Sequence, residues 1–175
     1  MNKFFVIWSK IYKTSFLKEN NLKFYNHKVF NDVQFHIESM LLANKISYLP
    51  KVLYNYNKKN VTSLQSSTVL TKALIIFDVF DGVELFLKEN NYYEEFEINY
   101  LKFKIKESKN NLNRTAEEGK EEFFKKMKKE FLKMDISIEN LKKLPQDVAS
   151  FYIIILNSYS YNNFEKFLKS KNKSI

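Results

Sequence analysis

The sequence predicts an α+β fold that is predominantly helical, on three observations. Residues from 68 onward carry apolar side chains at helical spacing, and the stretch "KISYLPKVLYNYN" alternates in the manner of short strands. Only two Gly and two Pro occur among 175 residues, too little turn chemistry for an all-β chain rich in hairpins. A hydrophobic fraction of 45%, with 17 Phe and 11 Tyr, is the composition of a folded chain. The length suits one ordinary domain, or two small units.

Taken in order, "TSFLKE" predicts a short helix over Thr14 to Glu19, capped by Thr14 or Ser15 and ended by the Asn20–Asn21 pair, with "LKFYN" extended after it. A helix over Asp32 to Asn44 follows from Val33, Ile37, Met40, Leu41 and Asn44 on one face, with Asn31 as its N-cap. Pro50 then separates two β-prone pieces in which Val52, Tyr54 and Tyr56 alternate with Leu53 and Asn55. Leu70, Leu74, Phe77, Phe80, Leu85 and Leu87 form a helical stripe that Gly82 is expected to weaken. A further helix covers Tyr92 to Glu107, with "NNLNR" as a connection, and "AEEGKEEFFKKMKKEFLKM" is an amphipathic helix laced with i,i+4 charge pairs. Pro145 suits the first turn of another helix, and "YNNFEKFLKS" is the last. The strongest internal division lies near Ser67, giving units of 1–67 and 68–175.

The net charge of +9 is unevenly spread. Residues 1–68 hold ten Lys against Glu19, Asp32 and Glu38, a balance of +7, whereas residues 69–175 carry +2. Such a field attracts an anionic lipid surface, a nucleic acid or a phosphate-bearing substrate, and it is equally the signature of a solvated Lys-rich surface. A single Arg argues against specific nucleic-acid readout, which depends on bidentate forks. The absence of Cys removes disulfides and thiolate chemistry. The first ten residues are too short an apolar run for a secretion signal, and Lys72, Asp78, Asp81 and Glu84 interrupt the longest apolar segment, so no membrane span is expected.

With Gly82 and Gly119 its only glycines, the chain cannot form a Gly-rich phosphate loop or a nucleophile elbow. Asp32 and His36 lie four residues apart on one predicted helix face, a spacing that serves a surface pair, a metal or a polar substrate. A carboxylate in a first turn is stabilised by about 0.3 to 1 kcal/mol, which lowers its pKa unless desolvation opposes the shift. Trp8, Tyr12, Tyr54 and Tyr56 read as core or half-buried residues, or as a stacking platform for a sugar ring.

Three ordered stretches, "VIWSKIYKTSFLKENNLKF", "FNDVQFHIESMLLANKISYLPKVLYNYN" and "KKNVTSLQSS", resemble the C-terminal part of the catalytic domain of bacterial family 2 glycosyltransferases, inverting enzymes of GT-A type. The resemblance implies a C-terminal, acceptor-side GT-A fragment over 1–67 followed by a helical extension over 68–175. It implies Asp32 as catalytic base, with Asn31 standing where the family has Glu, and Trp8, Lys10 and Tyr12 toward the acceptor. Asn31, His36, Tyr54, Tyr56 and Ser63 would support the site. The complete enzyme would move a sugar from a nucleotide-sugar donor to a hydroxyl of a glycan or lipid-linked acceptor in surface polysaccharide or lipopolysaccharide synthesis.

The donor half and its Asp-x-Asp metal motif have no counterpart in this sequence. The isolated chain is therefore expected to be inactive and to hold no cofactor, Mg²⁺ or Mn²⁺ being required by a complete enzyme. A separately encoded N-terminal half is the partner the resemblance implies. The expected location is the cytoplasm, with peripheral contact at the inner face of the membrane. The alternative is a basic helical module, without catalysis, that docks on a membrane surface or a protein.

Overall fold

The computed structural model describes residues 7–52, 54–55 and 69–171. Helices α1 (Thr14–Glu19) and α2 (Asn31–Leu42) precede a bundle made of α3 (Leu70–Ala73), α4 (Ile75–Glu89), α5 (Tyr93–Arg114), α6 (Lys120–Met134), α7 (Ile138–Lys143), α8 (Gln146–Asn157) and α9 (Tyr161–Lys171). A 3₁₀ turn at Glu117–Gly119 leads into α6.

Two helices end through the same local chemistry. In "LKENNL" and "LKENNY" the second Asn takes a left-handed backbone, φ 50° at Asn21 and 60° at Asn91, which Asn tolerates better than most residues. The next amide reaches back, Leu22 N–H to Leu17 O at 2.9 Å and Tyr92 N–H to Leu87 O at 2.8 Å, and closes each helix. Neither predicted cap is used at the starts of the first two helices: Lys13 precedes α1, and Phe30, not Asn31, is the N-cap of α2.

The core is aromatic. Phe77, Phe80, Phe123, Phe124 and Phe131 are fully buried where α4 and α6 meet their neighbours. Phe77 lies 5.3 Å from Phe123, and Phe131 lies 5.4 Å from Tyr152 of α8. Polar groups at the margin are paired. Glu130 accepts from Lys126 and Lys133, both at 2.9 Å, while Glu84 accepts from Lys88 at 2.6 Å and from the Tyr100 hydroxyl at 2.9 Å. Burial alone would raise the Glu84 pKa, but Lys88, Tyr100 and Lys104 together hold it below the usual range.

Several expectations are corrected. The described residues contain no strand: "KISYLPKV" belongs to neither helix nor strand. The α+β class is therefore replaced by an all-helical fold. The resemblance to a GT-A glycosyltransferase falls with it, since a GT-A domain is organised on a sheet and this molecule on helices. Sugar transfer in polysaccharide or lipopolysaccharide synthesis is withdrawn on the same ground.

The helical pattern is also adjusted. Gly82 does not interrupt α4; the break falls at Leu74, between α3 and α4. "NNLNR" continues α5, because Asn111 and Leu112 are buried and the Asn111 side chain donates to Glu107 O at 2.8 Å. Leu85, assigned to the apolar stripe, is exposed.

Candidate functional site

The anticipated site residues collect at the start of α2. The chain enters that helix through Phe30, whose φ of 62° and ψ of 15° place a bulky residue in the left-handed region. Such a conformation costs on the order of 1–2 kcal/mol and is held by its surroundings, here by Phe30 packing against the core. The reversal sets Asp32 in the first turn, half-buried, with His36 one turn further and only 7% exposed.

Lys10 approaches both groups. Burial raises the Asp32 carboxyl above the ordinary carboxylate range, although its own amide, Lys10 and the Val33 amide all pull it down. The first-turn position had predicted a lowered value, and desolvation is what reverses the direction. Burial likewise pushes the His36 imidazole down to about 4, and the Lys10 ammonium adds to the effect. Lys10 itself is lowered by burial, an effect that Asp32 partly offsets. At neutral pH the imidazole of the site is neutral.

The aromatic candidates divide between two places. Trp8 and Tyr54 approach each other with ring centroids 6.3 Å apart, both exposed. Tyr12 instead stands edge-on to Phe35 at 5.4 Å, and Phe35 also stacks on Phe24 at 4.4 Å. The Tyr12 hydroxyl is buried without a hydrogen-bond partner. Asn31 is exposed on the first turn of α2. Tyr56 and Ser63 lie outside the described residues.

Two features had no reading in the sequence. Glu38 accepts from Tyr25 at 2.6 Å and from Gln34 at 2.8 Å, a network that closes the buried side of α2. The i,i+4 spacing of Gln34 and Glu38 was a usable signal, but the arrival of Tyr25 was not. Second, the segment after α2 is exposed throughout from Asn44 to Val52. Its apolar residues had been assigned to strands, which conceals exposure.

Among the described residues no group of three or more His, Asp or Glu side chains is placed to hold a metal ion. No helix among the described residues is long and apolar enough to cross a membrane. Compared with known proteins, the chain matches no family model, no curated protein and no solved structure.

Proposed function

We propose that this protein is a non-catalytic interaction module in which a helical bundle presents a basic, apolar surface, formed by residues 7–52 and 54–55, to a protein partner. One observation carries the reading: large apolar side chains stand in solvent along one stretch of chain. Tyr48 is 88% exposed and Val52 84%, with Ile46, Leu49 and Tyr54 exposed alongside, and Ile11 earlier in the chain is 92% exposed. Apolar exposure concentrated in this way marks an interaction surface.

Charge gives the surface its sign. Lys13, Lys18, Lys23, Lys28, Lys45 and Lys51 are exposed, whereas of the three acids in this region only Glu19 is; Asp32 and Glu38 are turned inward. The partner is therefore acidic. Exposed Trp8 and Tyr48 beside lysines would also suit an anionic lipid surface. The irregular backbone of the exposed segment argues against that, since elements that lie in a bilayer interface are characteristically amphipathic helices.

The test is a photo-crosslinking residue placed at Tyr48, at Ile11 or, as a control on the bundle, at exposed Leu132, in cells that make the protein. A discrete protein adduct is expected at positions 48 and 11 and absent at 132. Lys45→Glu with Lys51→Glu should weaken the adduct at least five-fold. Label recovered in lipid, or equal labelling at all three positions, would overturn the reading.

A further inference from the structure

The contact itself has a geometry that residues 45–49 disclose. We infer that these five residues are a strand donor, adding to the free edge of a partner's β-sheet that carries acidic side chains; this rests on the protein-partner reading above. Every residue from Asn44 to Val52 is exposed, and from Lys45 to Pro50 the chain belongs to neither helix nor strand. Within that run the backbone hydrogen bond made to a described residue is Lys51 N–H to Leu49 O at 2.8 Å, so the amides of 45–49 bond to no backbone carbonyl of a described residue. Exposed backbone outside helix and strand can take up pairing with a second chain.

The side chains suit the role. Ile46 and Tyr48 project with β-branched and aromatic bulk, and they alternate with Ser47 and Leu49. Pro50 supplies no N–H and ends the pairing, so the donated strand is short, about 16 Å at roughly 3.3 Å per residue. Short donated strands take affinity from main-chain bonds and specificity from alternate side chains.

Charge selects the occupant. Lys45 and Lys51 flank the run and are exposed, on a chain of net charge +9. A second copy is disfavoured by charge, since each copy carries +9, and parallel in-register pairing sets each lysine beside itself; like charges directly opposite destabilise a strand pair. An anionic bilayer would answer the lysines but offers no row of carbonyls at strand spacing to the amides. An acidic sheet edge satisfies both the amides and the lysines.

The experiment uses the whole isotope-labelled chain with a blocked peptide of about nine residues alternating Glu and Val as the model edge, read by amide hydrogen exchange. Protection of at least ten-fold is expected at alternate residues of 45–49, with a period of two. Proline at a protected position, Ser47→Pro or Tyr48→Pro according to phase, should abolish it while exchange in α4 to α8 stays unchanged. A peptide with Lys in place of Glu should give no protection. Unprotected amides, protection without alternation, equal protection by the Lys peptide, or protection by phosphatidylglycerol vesicles alone would each overturn strand addition. Protein adducts at position 48 without amide protection would sink this inference and leave the partner reading standing; loss of both would sink both.

Discussion

At His36, burial and the Lys10 ammonium act in the same direction, and the consequence is a measurable acid sensitivity. The ordinary imidazole value is 6.5 and the folded value about 4. Between these values the unfolded chain binds a proton that the folded chain refuses, so stability is complete above about pH 6.5 and falls as pH drops toward 4. After allowance for solvent near the ring, the loss between about pH 7 and pH 5 is about 1.5 kcal/mol. Urea unfolding at the two pH values should show this difference in the wild type and lose most of it in His36→Gln. An unchanged slope in the variant would remove His36 as the source. Glu84 and Glu130 have lowered values and contribute only further into acid; Asp81 and Glu107, raised by burial, oppose the histidine, so the difference between wild type and variant is what isolates it. Asp32, raised by burial, works in the opposite sense, gaining its proton first in the folded state. The i,i+4 relation of Asp32 and His36 was legible in the sequence. Lys10 beside both was not, because twenty-two residues and a left-handed turn at Phe30 separate the lysine from the aspartate.

Between elements, the contact of α2 with α4 turns on Gly82. A Cβ there would lie 2.4 Å from the Gln34 Oε1 and 2.9 Å from its Cδ, so the glycine is what allows the two helices to approach. Gln34 is 3% exposed and donates to Glu38 at 2.8 Å, which leaves its side chain little room to withdraw. In the wild type, Gly82→Ala should destabilise by about 1–2 kcal/mol, the steric and hydrogen-bond loss exceeding the helix-propensity gain of about 1 kcal/mol. In a Gln34→Ala background the clash is gone, and the same substitution should stabilise by about 1 kcal/mol. A thermal-melt cycle over the four proteins measures the reversal; the same sign in both backgrounds would refute the contact. The sequence marks Gly82 as a weak point in a helix, which is correct for an isolated segment. Its actual role depends on a side chain forty-eight residues away, and such long-range fits leave no local trace. The extent of α5 shows the same limit, since burial of Asn111 and Leu112 carries the helix through a stretch whose composition reads as a loop.

Over the whole molecule, stability is unequally distributed, and this decides what can be removed. Among the described residues, Val33 alone enters the buried core cluster from before residue 69; every other member lies on α3 to α9 or on the loop between α7 and α8. The two early helices have 6 and 12 residues, lengths at which an isolated helix is marginal in water. They are therefore ordered by the bundle and not the reverse. A chain of residues 69–171 should remain helical by circular dichroism and unfold cooperatively in urea. Its stability should be lower by about 1.5–3 kcal/mol for each fully buried apolar side chain that α2 no longer supplies, Val33 chief among them. A peptide of residues 7–55 should show no cooperative transition. Gradual melting of the longer fragment, or independent folding of the shorter one, would contradict this division. The helical periodicity of α4, α6 and α8 made the bundle readable, since each buries a stripe that the sequence displays. The irregular run after α2 was misread because alternation reports only that a segment could pair, and the strand it would pair with is supplied by no described part of this chain. That asymmetry would suit the proposed docking surface: the described residues before 56 borrow their order from the bundle, and a second surface would order them further without cost to the core.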